Sequence, residues 1–172
     1  NFNINGAYKS VKDKGQKVLI IGDSITQGYG TFMSGASYAN VLQRKTGYNI
    51  VAQGIGGLPF KECALYKGEY EPNKIIVSLG TNYYATESYD YEKEVRDFFK
   101  KLNELWGDKE IIYISPLWRD NDVIWDRFLW CREVATNEAL KYENITVIDG
   151  FDLVPHVHEC FHDKIHPNAY GC

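Results

Sequence analysis

The hydrophobic residues of this chain fall into short continuous runs that alternate with longer segments of helical periodicity. Short apolar runs rich in β-branched residues are typical of strands buried on both faces of a parallel sheet. We therefore predict strands over 18–21, 49–53, 74–79, 110–115 and 145–148. Helical spacing predicts helices from Tyr38 up to Gly47, over 91–106 and through 128–140. Pro59 predicts the first turn of a further helix.

The order of these elements predicts a single α/β domain. Strand and helix alternate from residue 17 to residue 172 without a break in composition. This pattern predicts a doubly wound, three-layer sandwich with about five parallel strands. Residues 1–16 are polar and lack periodicity, so we interpret them as a linker or the tail of a preceding segment. A closing helix is expected after the fifth strand, and the sequence reaches Cys172 without one.

Composition and charge indicate which kinds of partner are not expected. The chain has 19 basic and 23 acidic residues, a formal charge of −4. No run of Lys and Arg could follow a phosphate backbone, so nucleic acid is not expected as a partner. No apolar segment reaches membrane-spanning length. The four cysteines are too few and too scattered for a disulfide scaffold. The chain begins with Asn and carries no signal peptide, which indicates a processed piece of a cytoplasmic or secreted protein.

A candidate nucleophile lies at the end of the first predicted strand. The apolar run stops at Gly22-Asp23-Ser24, residue types typical of turns and helix caps. Ligands of open α/β sheets bind beyond the carboxyl ends of the strands. Ser24 would therefore face a cleft, beside the free N–H groups that begin the next helix. Taken alone, this stretch slightly favours a helix cap over a nucleophile.

Residues at the ends of the other strands shift the interpretation of Ser24 from helix cap to nucleophile. In a parallel sheet, the residues that follow each strand meet at one edge. The residues with candidate chemistry there are Gly54, Gly56 and Gly57 after the second strand, Asn82 after the third, and Asp163 and His166 after the fifth. Each has an ordinary explanation as a turn residue. Their placement on one edge is harder to attribute to turns alone.

Together these residue types can perform acyl transfer. Ser24 would attack an ester carbonyl, while His166 removes the hydroxyl proton and later protonates the leaving alcohol. Asp163 would hold the imidazole in the correct tautomer. The Ser24 N–H, a glycine N–H and the Asn82 amide would stabilise the oxyanion. His166 must be neutral to act as the base, so activity is expected to fall in acid. This chemistry needs no cofactor and no metal ion.

These stretches resemble the SGNH, or GDSL-type, hydrolase family. Gly22-Asp23-Ser24-Ile25 is similar to its nucleophile block, Ile55-Gly56-Gly57 to its glycine block, Gly80-Thr81-Asn82 to its asparagine block, and Asp163-Lys164-Ile165-His166-Pro167-Asn168 to its final block. The blocks follow the family's order, and the resemblance runs from Val18 to Gly171. It implies a flavodoxin-like fold and an esterase, lipase, thioesterase or carbohydrate deacetylase activity. Gly57, rather than Gly54, would supply the oxyanion donor.

Four further residues at this edge are candidate substrate contacts: Asp23, Tyr83, Trp118 and Arg119. Tyr83 stands where the family usually has Asp, which is expected to change the support of the loop or the shape of the substrate site. Packing of Trp118 against the core is an equally good interpretation. A cleft bordered by Trp and Tyr suits a sugar face better than a long lipid chain. The expected substrate is therefore a small-molecule or carbohydrate ester with a short acyl group such as acetyl.

Two other functions remain as alternatives. His156, His158, Cys160 and His162 alternate along the chain and would lie on one face of an extended segment, as metal ligands could. Zinc sites usually draw their ligands from two separated pairs, so we favour a solvated active-site loop. A binding module of the same fold would lack catalysis, but the complete set of catalytic residue types argues against it. A nucleotide site is disfavoured because no glycine-rich phosphate-binding signature follows the first strand.

Overall fold

The computed structural model describes residues 15–120 and 124–172. Five strands form one sheet in the order β2-β1-β3-β4-β5, and every neighbouring pair is parallel. Their bounds are Lys17–Gly22 (β1), Asn49–Gly54 (β2), Lys74–Ser78 (β3), Glu110–Ile114 (β4) and Ile145–Ile148 (β5). The predicted strands and the α/β, flavodoxin-like fold are confirmed. Residues 1–14 lie outside the described residues, so their interpretation as a linker stays a prediction.

In the described part of the chain, four α-helices connect the strands: Ser24–Gln27 (α1), Tyr38–Thr46 (α2), Tyr91–Trp106 (α3) and Trp125–Ala139 (α4). Local sequence explains where the longer ones begin and end. The Ser37 side chain caps α2 by accepting from the Asn40 N–H, and Gly47 ends it with φ of 69°. Asp90 caps α3 in the same way, accepting from the Lys93 N–H. Among the described residues, no helix has the length and apolar content needed to span a bilayer.

The main hydrophobic core lies between the sheet and the pair α3 and α4. Side chains alternate along a strand, so Leu19 and Ile21 of β1 face this core while Val18 and Ile20 face the opposite layer. Helix α3 buries an apolar stripe that includes Phe98 and Leu102. On the opposite side, α2 contributes Ala39 to a smaller cluster. The result is the predicted three-layer arrangement, with most of the apolar burial on one side.

The helix predicted to begin at Pro59 is not present. The segment between β2 and β3 contains a single short 3-10 turn, Glu62–Ala64. Its fixed point is Phe60, which is completely buried and packs edge-on against Phe98 with ring centroids 5.3 Å apart. The Tyr89 hydroxyl donates to the Phe60 carbonyl at 2.6 Å. The segment is therefore anchored by separate buried side chains, chiefly Phe60 and Leu65, rather than by a continuous helical face, which overrides the local preference of Pro59.

The strand order creates a crevice at the carboxyl edge of the sheet. From β1 the chain continues to β2 on one side and then to β3 on the other, so the connections diverge between β1 and β3. Such a switch point is where ligands bind in doubly wound sheets. Gly22 at the end of β1 lies opposite Ser78 at the end of β3. Ser24 and Asn82 follow these two ends and are thus brought to the same crevice.

Candidate active site

Ser24 is the first residue of the short helix that follows β1. Asp23 precedes it as the helix cap and accepts a hydrogen bond from the Ile25 N–H at 2.9 Å. The capping role considered for Ser24 is thus filled by its neighbour, and the Ser24 hydroxyl is available for another partner. A Cβ at Gly22 would lie 1.9 Å from the Thr26 hydroxyl oxygen. Only glycine at that position lets the strand turn so sharply into the helix.

Ser24, His166 and Asp163 form an unbroken chain of hydrogen-bond contacts. The Ser24 Oγ lies 2.7 Å from Nε2 of His166, although 142 residues separate the two in sequence. The other ring nitrogen of His166, Nδ1, lies 2.8 and 2.9 Å from the two carboxylate oxygens of Asp163. Because a carboxylate can only accept, this geometry puts a proton on Nδ1 and leaves Nε2 free to accept the serine proton.

The loop that carries His166 is held by its own backbone. Phe161 and Pro167 form an isolated antiparallel bridge, and the His162 N–H donates to the His166 carbonyl at 2.8 Å. Just beyond, the Asn168 side chain donates to the Glu159 carbonyl at 2.7 Å. These contacts close the loop at its base, so the position of the imidazole is set within a segment of about ten residues.

Asp163 is fitted to remain ionised. Burial acts to raise the pKa of its carboxyl group, but hydrogen bonds outweigh that effect and the net pKa is lowered. The donors are the His166 amide at 2.9 Å, the His166 ring and the Ile165 amide at 3.2 Å. An ionised Asp163 keeps the proton on Nδ1 and favours a positive charge on the imidazole when Nε2 takes up a second proton.

Gly57 lies in the turn that follows β2. The Leu58 N–H donates to the Ile55 carbonyl across this turn, and Gly57 has φ of 74°. No heavy atom lies within 4 Å of the position that a Cβ would take there. Backbone conformation, not lack of space, is therefore what requires glycine. Gly54 differs, because a Cβ there would lie 2.3 Å from the Gln27 nitrogen. Its role is close packing of β2 against α1.

The Asn82 amide already has partners. Its Nδ2 donates to the Asp23 carboxylate at 3.1 Å and to the Leu58 carbonyl at 3.3 Å. These bonds tie the ends of β1 and β3 and the glycine turn into one unit. They also use both N–H bonds of the amide, so donation to an oxyanion requires one of them to be released or shared. The Leu58 carbonyl is a partner that no sequence signal indicates.

Asp23 lies beneath Asn82 as a buried acid. Its side chain is only 2% exposed, and burial raises its pKa to about 7 in spite of the Ile25 N–H bond. Such a group changes charge near neutral pH. Because it contacts Asn82 directly, the protonation of Asp23 changes the strength of the bond that holds the amide. The sequence placed Asp23 among the substrate contacts, whereas the geometry puts it behind the site.

The remaining candidate substrate residues divide into exposed and buried positions. Tyr83 is 51% exposed and has φ of 62°, so its ring stands at the surface beside Asn82. Trp118 instead stacks on His156 with ring centroids 4.9 Å apart and packs edge-on against Phe161. This is the packing alternative considered for that residue, here against the segment that precedes the His166 loop.

Arg119 is buried, with 3% of its surface exposed. Its guanidinium lies over the rings of Tyr84 and Phe128, at 4.2 and 3.9 Å from their centroids. Its Nη1 donates to the Thr81 carbonyl at 3.3 Å, next to Asn82 in the chain. Burial lowers the pKa of Arg119. The contact with Thr81 gives this side chain a position behind the Asn82 loop, where it supports the loop rather than lining the surface.

The histidine-rich segment does not converge on one point. The His156 Nε2 lies 2.9 Å from the Phe151 carbonyl, and the His158 Nδ1 lies 2.6 Å from the Asp120 carboxylate. His162 packs against Phe32 instead. Within residues 15–120 and 124–172, no group of three or more His, Cys, Asp or Glu side chains could hold a metal ion. A 3-10 turn at His158–Cys160 breaks the alternation on which the metal alternative depended.

Two aromatic residues that the sequence did not indicate pack against the His166 loop. The ring of Tyr29 packs edge-on against the His166 imidazole at 4.6 Å, and Phe32 does the same to His162 at 4.6 Å. Both belong to the glycine-rich loop after α1. The sequence signal for this contact was the alternation of glycine with aromatic residues in the loop, because glycine allows close approach to another loop.

The fold and the site define the chain first as a flavodoxin-like α/β protein with a linked serine, histidine and aspartate at the carboxyl edge of its sheet. The chain belongs to the GDSL-like lipase/acylhydrolase family, whose model matches residues 20–172. That family consists of hydrolases that act on ester bonds. The match confirms the family resemblance found in the sequence. No curated protein matches the sequence.

Solved structures share the fold at low sequence identity. A Bacteroides ovatus protein assigned as a GDSL-like lipase has 23% identity and a TM-score of 0.79, covering 95% of this chain and 51% of its own. A family two carbohydrate esterase from Clostridium thermocellum, in complex with cellohexaose, has 17% identity and a TM-score of 0.71, covering 97% and 62%. A lipolytic G-D-S-L family member from Veillonella parvula has 21% identity and a TM-score of 0.71, covering 91% and 92%. The chain thus spans half to three fifths of the first two proteins.

Proposed function

We propose that this chain is a serine ester hydrolase in which Ser24, His166 and Asp163 act as the catalytic triad. The observation that carries the proposal is the linked series of contacts from the Ser24 Oγ, through both ring nitrogens of His166, to the Asp163 carboxylate. Nucleophile, base and orienting acid with these distances are the parts that acyl transfer requires. Family membership supports the same class of reaction.

In the first half of the reaction, the Ser24 oxygen forms a bond to the ester carbonyl carbon while its proton moves to Nε2 of His166. The carbonyl oxygen becomes an oxyanion. Collapse of this intermediate breaks the bond to the alcohol oxygen, which takes the proton from Nε2 and leaves as the free alcohol. Water then repeats the sequence on the acyl-serine, releasing the carboxylic acid and restoring the serine hydroxyl.

The oxyanion hole would combine three donors. The Ser24 N–H is one of the unpaired amides at the start of α1, and the Gly57 N–H belongs to the turn across the crevice. The third is the Asn82 amide, which has to exchange one of its two present bonds for the oxyanion. A bond to a developing charge is stronger than the bond to the neutral Leu58 carbonyl, so that exchange is favourable in the transition state.

We further propose a short acyl group, such as acetyl, on a carbohydrate. One apolar pocket among the described residues, of about 200 Å³, is lined by residues such as Tyr38, Ile114 and Val154 on the sheet face. Ile25 and Pro167 line this pocket, but no residue of the proposed triad or oxyanion hole does, so the short-acyl proposal places no acyl chain in it. The similarity of the fold to the Clostridium thermocellum carbohydrate esterase agrees with a sugar ester.

The nucleophile is tested by Ser24→Ala, with acetyl esters as substrates. Loss of the attacking oxygen is expected to lower kcat by about 10³-fold or more. Ser115→Ala is a matched control, because Ser115 follows β4 at the same edge and its hydroxyl accepts from the Gly150 N–H at 3.0 Å. The control should keep kcat within a few-fold. Equal hydrolysis of p-nitrophenyl acetate by Ser24→Ala and the parent would refute the assignment.

A panel of substrates tests the acyl group and the alternative function. Acetyl esters should be cleaved with higher kcat/KM than the matching octanoyl esters, and the opposite order would refute the short-acyl proposal. If the folded parent protein hydrolyses no ester in the panel, the non-catalytic binding module becomes the better interpretation.

A further inference from the structure

The loop after α1 forms one wall beside the proposed base. Gly30 has φ of 89°, and a Cβ there would lie 3.1 Å from the His162 Cβ and 3.2 Å from the His166 Cβ. The backbone of this loop therefore lies directly against the loop that carries His166. Tyr29 and Phe32, on either side of Gly30, are exposed, and Tyr29 packs against the His166 ring while Phe32 packs against the His162 ring.

Phe32 is held in a conformation that bulky residues rarely adopt. Its φ is 55°, in the left-handed region, and 81% of its side chain is exposed. The preceding Thr31 is 4% exposed, and its hydroxyl lies 2.8 Å from the Gly28 carbonyl and 3.1 Å from the Met33 carbonyl. Thr31 thus braces the turn from inside while Phe32 projects into water. An exposed aromatic ring in a strained backbone does not stabilise the fold, so the strain points to a role in function.

The reaction geometry shows which part of an ester would reach this ring. The leaving oxygen must come within hydrogen-bond distance of Nε2 of His166, because that nitrogen protonates it. The oxyanion points the other way, toward Gly57 and Asn82. The alcohol part of the substrate therefore lies next to the imidazole, whose ring packs edge-on against Tyr29 with centroids 4.6 Å apart. Phe32, in contact with His162, continues that wall outward.

We propose that Tyr29 and Phe32 form a binding ledge for the pyranose ring of the alcohol, a specificity-determining site that rests on the proposed function. The C–H face of a sugar ring can lie on an exposed aromatic ring while its hydroxyl groups stay in water. An open ledge suits such a ring better than an aliphatic alcohol, which gains most from enclosure. The depression of about 770 Å³ beyond Phe32, bordered by Met33, Val41 and Arg44, leaves room for the substituents of the ring.

The ledge is tested with esters that share the acetyl group and differ in the alcohol. The substrates are a methyl glucopyranoside carrying one acetyl group, octyl acetate and ethyl acetate. For Phe32→Ala, the ratio of kcat/KM for the sugar acetate to that for ethyl acetate is expected to fall about tenfold, the size of one lost aromatic contact. Phe32→Trp keeps an aromatic ring at this position and should retain most of the parent's ratio. Leu140→Ala removes another exposed apolar side chain, 61% exposed after α4, and should leave the ratio unchanged.

A binding measurement separates the ledge from the chemistry. In the Ser24→Ala background, adding Phe32→Ala should weaken the Kd of the acetylated glucoside about tenfold in calorimetry. An unchanged Kd, an unchanged kcat/KM ratio, or a loss with octyl acetate as large as with the sugar acetate would each overturn the ledge. If the parent hydrolyses no ester while binding still depends on Phe32, only the proposed hydrolysis fails. If turnover is normal and binding ignores Phe32, only the ledge fails.

Discussion

The two sides of the candidate site are built in different ways. On the base side, His166 and Asp163 belong to one short loop that is closed by its own backbone bonds. On the oxyanion side, Gly57 and Asn82 follow different strands and are joined through Asp23 and Leu58. The base side already has hydrogen-bond distances suitable for proton transfer. On the oxyanion side, the Asn82 amide is in place but is occupied by protein acceptors.

The difference shows that a hydrogen-bond donor can be well positioned and still be occupied by another acceptor. A preorganised donor costs no rearrangement when the transition state forms. Asn82 is well positioned, but its amide has to give up one of its present acceptors. One of these acceptors is Asp23, directly after β1, and the pKa of Asp23 is raised to about 7. We therefore expect the base side to govern the size of the rate enhancement, and the oxyanion side to govern how that rate responds to its surroundings.

The largest effect is expected on the base side, from Asp163→Asn. An amide donor facing Nδ1 would favour the tautomer with the proton on Nε2, which cannot accept from Ser24. kcat is expected to fall about 10³–10⁴-fold. Asp120→Asn is a matched control, because Asp120 makes the same kind of contact with His158 at 2.6 Å. If both variants lose activity equally, the pairing of Asp163 with His166 has no special role.

A smaller effect is expected on the oxyanion side, from Asn82→Ala. Loss of one oxyanion donor should lower kcat about 10²–10³-fold with little change in KM. Asn144→Ala serves as the control, since its amide also donates to a backbone carbonyl, that of Lys109, at 3.1 Å. Steady-state kinetics on an acetyl ester distinguish the two. A change in KM alone would place Asn82 in substrate binding and not in transition-state stabilisation.

The smallest effect on rate, and the clearest effect on stability, is expected from Asp23→Asn. The folded protein holds a proton on Asp23 up to about pH 7, whereas the unfolded chain releases it near pH 3.8. Between these values the folded state binds more protons, so this group makes stability fall as pH rises, and the loss levels off above pH 7. The shift corresponds to about 4 kcal/mol in total.

Asp23→Asn removes that dependence while its side-chain oxygen can still accept from the Ile25 N–H. The difference in free energy of unfolding between variant and parent should therefore grow from pH 4.5 to pH 7 and then stay constant. Urea unfolding at several pH values measures it. A difference that is the same at every pH would mean that Asp23 titrates normally in the folded protein.

Much of the fold could be read along the chain because its signals are local. The strands around Ile20 and Ile76 are apolar runs, and α3 carries a clear apolar stripe between Asp90 and Gly107. The helix expected after Gly57 is absent because the contacts that hold this segment, such as buried Phe60 against Phe98, join positions far apart in sequence. Local propensity is overridden where tertiary contacts fix a segment.

For the site, residue types could be predicted but their partners could not. Ser24, Asn82 and His166 were identifiable because each follows a strand end in a recognisable motif. The sequence also assigned Asp23 and Arg119 to substrate contact, and the structure instead places both behind the Asn82 loop. Burial depends on what packs above a residue, and that information is distributed over many positions.

By itself, the sequence determined the order of the strands and of the three longer helices, the turn residues at the strand ends and the residue types available for acyl transfer, because these depend on neighbours along the chain. Only the tertiary structure decided that the His166 loop meets Ser24, that the Asn82 amide donates to Asp23, and that Phe32 is exposed against His162. Those outcomes depend on distances of a few ångströms between loops, which the parallel sheet sets by bringing remote strand ends to one edge.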